Sequence, residues 1–515
     1  MSAEKEKPAE RSLTARAAWV MTAKSLSFAL AFALPLLLVR RLSQGEFGLY
    51  KQVFLLVDTA VAVLPLGFYL SAFYYLPREP GRRRQIVFNI LLFHLFVGGA
   101  ACLVLLARPD LAASLLNAPE LTALAPLAGA TILLWIVSYF LETVAVAEQE
   151  LGLAVLFIVG SRLTRSGMMF AAAALAPNVR ALLYAALAQG ALQTIVLLLY
   201  LRSRFGAFWR GFEWATLRAQ LSYALPLGLA AIILTMFASL DNYFVSHEFG
   251  SNAYAVYAVG CFTLPLVPLL GEAVGQVMLP RVSLLQKQGQ ARQIVELTAR
   301  MIRKLALVYL PFYALLLVVA REFVVLLFTE QYAASVPVFR VNLTLIPLAV
   351  LMSAADPVIR AYAEHRYYFL RLRLALLALM AAAIIVGLKT FGMTGAITAA
   401  VAVNCVERLV TARKCARVLG VTGRDWPLVA DVWKIAAAAA AAGALTFFAR
   451  RALAGAHPLV VLSACGAAYA GAYLAAVQLF GVATAAEREA VRGRVTRLLR
   501  RRDGVASGRA AERVI

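Results

Sequence analysis

The sequence predicts an all-α polytopic membrane protein with about fourteen transmembrane helices, and three observations carry that expectation. First, hydrophobic residues make up 62% of the chain and mean hydropathy is +0.78, well above soluble domains. Second, the apolar residues arrive in blocks of about 20, the length of a bilayer-crossing helix, and never in the alternating ten-residue segments of a membrane β-barrel. Third, Lys and Arg crowd into alternate loops, as the positive-inside bias requires. An even number of spans with both termini in the cytoplasm places most of the 50 Lys and Arg inside. Two local exceptions remain: Arg40 and Arg41 fall in an outside loop, and the inside segment Glu142 to Glu150 has acids without bases.

The spans are expected near 16–39, 51–75, 86–107, 121–146, 151–175, 181–201, 221–244, 254–279, 303–320, 334–355, 370–388, 394–412, 435–450 and 458–480. Every connection is too short for a soluble catalytic domain. The longest inside one, 280–302, reads as an amphipathic surface helix carrying Ile294, Val295, Leu297, Met301 and Ile302. A net charge of +23 would suggest nucleic acid in a soluble domain. Here it follows topology and a basic tail, so no nucleic-acid partner is expected. The tail AEREAVRGRVTRLLRRR (486–502) sets Val491, Val495, Leu498 and Leu499 on one helical face among arginines, which suits the anionic lipid of the cytoplasmic leaflet. The cysteines (Cys102, Cys261, Cys405, Cys415, Cys465) scatter without metal-ligand spacing. The polar start MSAEKEKPAERS does not read as a cleavable signal. No phosphate-cradling GxxxxGK[ST] stretch occurs, so ATP hydrolysis is not expected.

An internal repeat organises the chain. RLSQGEFGLYKQVF (41–54) follows the first span and YFVSHEFGSNAYAVY (243–257) the seventh; LARPDLAASLLNAPEL (106–121) and VAREFVVLLFTEQYAA (319–334) echo each other after the third and ninth. Six helices per unit is an even number, so the two units share one orientation and are related by an axis along the membrane normal. The expected organisation is therefore a six-helix lobe over 1–212, a second over 213–420, two extra helices within 421–482, and a basic cytoplasmic tail over 483–515.

The candidate site centres on Arg162 and Arg165, three residues apart on one face of an apolar span. A charge at bilayer depth costs about 3 kcal/mol on insertion scales, so such residues face a protein interior or a watery cavity. Guanidinium groups bind phosphate in a bidentate fork and stay protonated when desolvated. Two arginines at mid-span therefore point to an anionic cargo, against the plainer reading that they pair with Glu142 or another acid to lock helices. Lys24 and Arg340 are further candidates for the cargo cavity, each close enough to a span end to snorkel instead. Asp58, Asp241 and Glu272 are candidates for proton or sodium coupling, or partners for the bases; Glu272 sits between Gly271 and Gly275, which let a neighbouring helix approach. Glu407 with Arg408, and Asp356 with Arg360, lie near inner helix ends and read as interface anchors. No cofactor or metal is expected.

The ordered pieces RRLSQGEFGLY (40–50), LSYALPLGLAA (221–231), LDNYFVSHEFGSNAYAVYAVG (240–260), LPRVS (279–283), VVLLFTEQYAASVPVF (324–339) and FGMTGAITA (391–399) resemble the polysaccharide-transport flippases of the multidrug/oligosaccharidyl-lipid/polysaccharide exporter superfamily. The resemblance covers spans 1–12. It implies two six-helix lobes, alternating access in a bacterial inner membrane, and an oligosaccharide cargo on a polyprenyl pyrophosphate carrier, with other polysaccharide assembly proteins as partners. Fourteen spans are also found among lipid II flippases of that superfamily. A multidrug exporter of the same superfamily is the alternative within transport, although its cationic cargo favours acids over arginines. A membrane glycan polymerase or ligase is the alternative as an enzyme, but the outside loops are short and His94, His247, His365 and His457 do not cluster with acids.

Overall fold

The computed structural model describes residues 29–30, 32–365 and 367–482, and the regular structure among them is helical. A helix over 32–41 (α1) precedes α2 (Gln44–Val63), α3 (Ser71–Tyr75), α4 (Arg83–Ala107), α5 (Asp110–Leu116), α6 (Leu121–Ser138), α7 (Phe140–Ala147), α8 (Leu151–Leu175), α9 (Val179–Phe205) and α10 (Trp214–Gly260). Then follow α11 (Leu266–Lys287), α12 (Ala291–Val318), α13 (Ala320–Phe328), α14 (Val336–Leu343), α15 (Leu345–Ala361), α16 (Tyr368–Val418), α17 (Asp431–Ala452) and α18 (Pro458–Leu479). Lys24 and the tail segment 486–502 lie outside the described residues.

Ten of these helical stretches are long and apolar enough to cross a membrane, or eleven if the bent pair Gln44–Val63 and Phe68–Tyr75 is one span. The difference from the expected fourteen has identifiable causes. Most of the first span lies outside the described residues, and the eighth is interrupted between Gly260 and Leu266. The other two causes are helices that fold back on themselves. In α16 the helical dihedrals fail at Phe391 and Gly392, the latter with φ of 59°. Arg373 then meets Glu407 at 2.6 Å, although a straight helix would separate them by about 50 Å. In α10 the break is Gly250, with φ of 70°, and the Tyr257 hydroxyl donates to Asp241 at 2.6 Å across the bend. A positive φ of that size is where glycine is favoured.

The chain packs as two compact units. The first runs to Leu269 and adds Val324–Asn342 and Glu364–Leu409; the second comprises Leu270–Phe323, Leu343–Ala363 and the chain from Val410. Two apolar cores are found among the described residues of the first unit. One gathers Phe68, Ile86, Ile90, Phe140, Val144, Leu197 and Leu201, and the other Phe237, Val245, Tyr257, Val338, Ile384 and Ile397. In the second unit α12 packs on α15, α17 and α18. Its polar ties are Arg450–Glu322 at 2.9 Å, Arg303–Asp431 at 3.2 Å, and Arg292–Asp425.

The sequence repeats become structural joints. Ser43 caps α2, accepting from the Glu46 amide, while the Glu46 carboxylate accepts from the Ser43 amide, a capping box contributing about 1 kcal/mol. The two EFG segments meet: an ideal Cβ on Gly48 would stand 1.9 Å from the Ser251 carbonyl oxygen, and Gln44 donates to the Asn252 carbonyl at 2.9 Å. Gly228 repeats the device farther along α10, where a Cβ would stand 1.9 Å from the Leu66 carbonyl oxygen. Glycine is required at these positions because backbone occupies the place of its side chain.

Partners account for Arg40 and for Glu148 and Glu150 among the exceptions to the charge pattern. Arg40 donates to the carbonyls of Leu326 and Leu327, each at 2.8 Å, and so satisfies acceptors that the end of α13 leaves open. In return Gln331 donates to the Val39 carbonyl at 3.0 Å. Glu148 pairs with Arg83, and Glu150 pairs with Arg204 at 2.8 Å while accepting from the Tyr200 hydroxyl at 3.0 Å. The bases missing from the acidic segment come from the adjoining helices α4 and α9.

One expectation is corrected. Residues 280–302 do not form a separate surface helix, because α11 extends to Lys287 and α12 runs unbroken from Ala291 through the ninth span. Ile294, Val295, Thr298 and Ala299 are buried there, so the apolar stripe is covered by protein. The Gly423–Leu428 turn packs against this part of α12, and its Asp425 carboxyl is held below the usual carboxylate range by the Thr422 backbone hydrogen bond and by Arg292.

Gly48→Val should lower the melting temperature and the monodisperse yield in detergent, by roughly the 1–3 kcal/mol typical of overpacking or more. Gly275→Ala, with nothing within 4 Å of its new methyl, should leave both unchanged. Asp425 adds stability that is present above the ordinary carboxyl pKa and lost as pH falls through its lowered folded value. Protection factors for amide exchange over 423–428, taken against the intrinsic rate at each pH, should therefore fall as the medium is acidified, and Asp425→Asn should remove that dependence.

Candidate functional site

The site is built on α8, whose 25 residues extend about 37 Å. Arg162 and Arg165 stand about 17 and 21 Å along it, near its middle. They share a face but not a partner. The Arg165 guanidinium donates to Asp58 Oδ1 at 3.1 Å and lies 3.7 Å from the centroid of the Trp135 ring. Its side chain is 43% exposed and that of Asp58 57%, so this is an open pair. The Arg162 side chain is exposed and lies within electrostatic reach of Glu142, which in turn rests against Ser161.

The platform under Arg165 is rigid. Trp135, on α6, is 5% exposed, and its indole N–H donates to the Ala186 carbonyl on α9 at 3.0 Å. Gly190 on the same helix makes room, since a Cβ there would stand 2.8 Å from Trp135 Cδ1. Phe54 of α2 closes another side at a centroid distance of 6.0 Å. Asp58 is set by α2, and Tyr243 of α10 donates to the Leu55 carbonyl one turn away at 3.3 Å. Two turns before Asp58 on that helix, Lys51 sits against the Phe47 and Tyr50 rings, within the field of Asp58. A polar stripe backs Arg162, with Gln189 donating to Gln193 at 2.6 Å and Gln193 to Ser161.

The cluster therefore joins Lys51, Arg162 and Arg165 with Asp58 and Glu142, a surplus of one positive charge, all within the first unit. Lys51, Trp135 and the glutamine stripe were not apparent as site residues from sequence. Lys51 reads as a loop base at the mouth of the second span, yet its spacing of seven from Asp58 puts both on one face of α2. Trp135 carried a usable signal: it lies deep in a span, away from the interfacial belt where tryptophan is common.

The other candidates fall elsewhere. Arg340 is exposed on α14, with no ion-pair partner among the described residues. Asp241 is held in the α10 bend by the Tyr257 hydroxyl at 2.6 Å and the Asn242 amide at 3.2 Å. Glu272 is exposed on α11 in the second unit and accepts from Gln276 at 3.1 Å. Of its flanking glycines, Gly271 approaches Ser353 closely, while Gly275 faces open space. Among the anchor residues, Glu407 forms the buried pair with Arg373 described above.

Helices long and apolar enough to cross a membrane, one of them with charged side chains near its middle, define a multi-pass membrane protein. The chain belongs to the polysaccharide biosynthesis protein family, which matches residues 37–337. Among solved structures it is similar to a lipid II flippase MurJ in an inward closed conformation, with a TM-score of 0.70 and 12% identity over 90% of this chain and 98% of that one. It is also similar to an inward-facing multidrug resistance MATE family transporter of the MOP superfamily, with a TM-score of 0.62 and 16% identity over 78% of this chain and 99% of that one. A superfamily transporter from Pyrococcus furiosus, described as having a binding pocket of reverse polarity that suggests a different function, matches with a TM-score of 0.52 and 16% identity over 78% of this chain and 94% of that one. No curated protein sequence matches the chain. The fold is thus that of flippases and exporters, as the sequence motifs imply.

Proposed function

We propose that the protein is a flippase that carries a polyprenyl-pyrophosphate-linked oligosaccharide from the cytoplasmic to the outer leaflet of a bacterial inner membrane, by alternating access, for polysaccharide biosynthesis. The carrying observation is the net-positive cluster of Lys51, Arg162 and Arg165, in which the two arginines stand near the middle of α8, Arg162 exposed and Arg165 half-exposed. Two guanidinium groups at that depth cost about 5–7 kcal/mol on insertion scales. A half-exposed ion pair returns about 1 kcal/mol or less, and stacking on an aromatic ring about 1–2. Helix locking does not offset that cost, whereas a hydrated anion site gives the charges a use. The family's link to polysaccharide and the MurJ neighbour's link to lipid II both favour a lipid-linked saccharide over a free one.

In this reading the lobe over 1–212 holds the pyrophosphate and the lobe over 213–420 supplies the moving wall. Both termini are cytoplasmic, the basic tail rests on anionic lipid, and the product passes to other polysaccharide assembly proteins. Lys24 and Arg340 extend the basic path toward either membrane face. Coupling to H+ or Na+ would act through Asp241 or Glu272, since Asp58 is already engaged by Arg165. The multidrug-exporter reading is weaker because the acids of the cluster, Asp58 and Glu142, face at least as many bases.

The double variant Arg162→Ala/Arg165→Ala should reach the membrane at normal levels and fail to restore glycan export in a flippase-deficient host. Losing two charge-assisted contacts at about 1.5 kcal/mol each predicts a fall of roughly a hundredfold. Export near the wild-type rate would overturn the assignment. Energised efflux of an organic cation such as ethidium, lost in Asp58→Asn, would favour the exporter reading.

A further inference from the structure

We infer that Asp58 is an internal stand-in for the cargo's phosphate: it occupies the Arg165 fork in the empty protein and is displaced when the pyrophosphate binds. The inference rests on the anion-site reading above and assigns a role to a residue that the reading leaves only as a partner of Arg165.

Three observations carry it. The contact is single, from one guanidinium nitrogen to Asp58 Oδ1 at 3.1 Å, so a bidentate ligand has a geometry to gain. Both side chains are about half exposed, so the carboxylate can swing into water without leaving a buried charge behind. The guanidinium is held from beneath by Trp135 at 3.7 Å, and the indole is itself tied to Ala186 and wedged at Gly190. Arg165 therefore keeps its place when Asp58 leaves. The fixed partner is the cation and the exchangeable one is the carboxylate.

The chemistry has two consequences. While the site is empty, Asp58 offsets one of three bases, which limits the standing positive charge at mid-membrane. When a pyrophosphate arrives, Asp58 competes with it, weakening capture and helping release. Asp58 is thus a positioning residue acting through Arg165, and it tunes affinity against turnover. Buried pairing would predict a different outcome, because a desolvated carboxylate is not exchanged at low cost.

The test uses the full chain in lipid nanodiscs with inorganic pyrophosphate as the probe, followed by calorimetry and tryptophan emission. Asp58→Asn should bind pyrophosphate roughly tenfold more tightly than wild type, while Asp58→Glu should retain near wild-type affinity. Glycan export in Asp58→Asn should fall even as binding tightens, a split that loss of structure does not produce. Pyrophosphate should change the emission of the wild type but not of Trp135→Phe, since the ligand joins the cation lying on that ring. Asp58→Ser serves as a second neutral variant if Asp58→Asn is poorly folded. Binding that requires Arg162 and Arg165 but is unchanged or weaker in both neutral variants would overturn the displacement and leave the anion site standing. Binding indifferent to the two arginines would overturn both.

Discussion

The energetic penalty of holding charge at bilayer depth is the constraint on which the rest of this structure depends. A guanidinium in hydrocarbon needs a counter-ion, a polar wall or water, and the first unit supplies each in a different proportion. Arg165 has a carboxylate on one side and an indole beneath it. Arg162 has only the field of Glu142 and remains exposed. Lys51 lies against two rings and within reach of Asp58. Two carboxylates thus face three bases, and that incomplete compensation is what distinguishes a binding site from a structural lock.

Backbone proximity makes this arrangement feasible. Gly48 and Gly228 bring α10 against α2 and the break that follows it, so closely that no side chain fits between the chains. That approach fixes α2, and α2 carries both Lys51 and Asp58. Gly190 does the same for the Trp135 ring against α9. Small residues at helix crossings take the place of a hydrophobic driving force inside a membrane, where packing supplies the attraction. The charges are therefore positioned by residues that carry none.

Much of the fold was legible in the sequence because its signals are one-dimensional: block length, loop charge and repeated motifs. Most expected spans from the third onward fall on helices, the eighth being interrupted between Gly260 and Leu266, and the turns at Gly250 and Gly392 fall between expected spans. What composition could not reveal was pairing between distant segments. Arg40 looked like an outside-loop charge until the carbonyls of Leu326 and Leu327 were placed before it. Glu148 and Glu150 looked unpartnered because their bases, Arg83 and Arg204, are far away in sequence. The amphipathic run after Gly289 was read as lying on a membrane surface, since its period alone does not say whether lipid or protein covers the apolar face. In the site, Arg162 and Arg165 were visible as costly residues, but their division between Glu142 and Asp58 required the third dimension.

Two ion pairs of the first unit show why the division matters. Arg373 and Glu407 close the α16 hairpin at 2.6 Å with side chains 11% and 7% exposed. Removing either partner would strand a desolvated charge, which typically costs about 3–5 kcal/mol, so that pair is a permanent fastening. Arg165 and Asp58 make a longer contact with both side chains open. An open pair contributes about 1 kcal/mol or less, comparable to what a single charge-assisted contact from an arriving phosphate returns. An equilibrium so nearly balanced is one that a ligand can shift in either direction. The same two residue types thus serve as a clasp where they are buried and as an exchangeable seat where they are exposed, and exposure decides which.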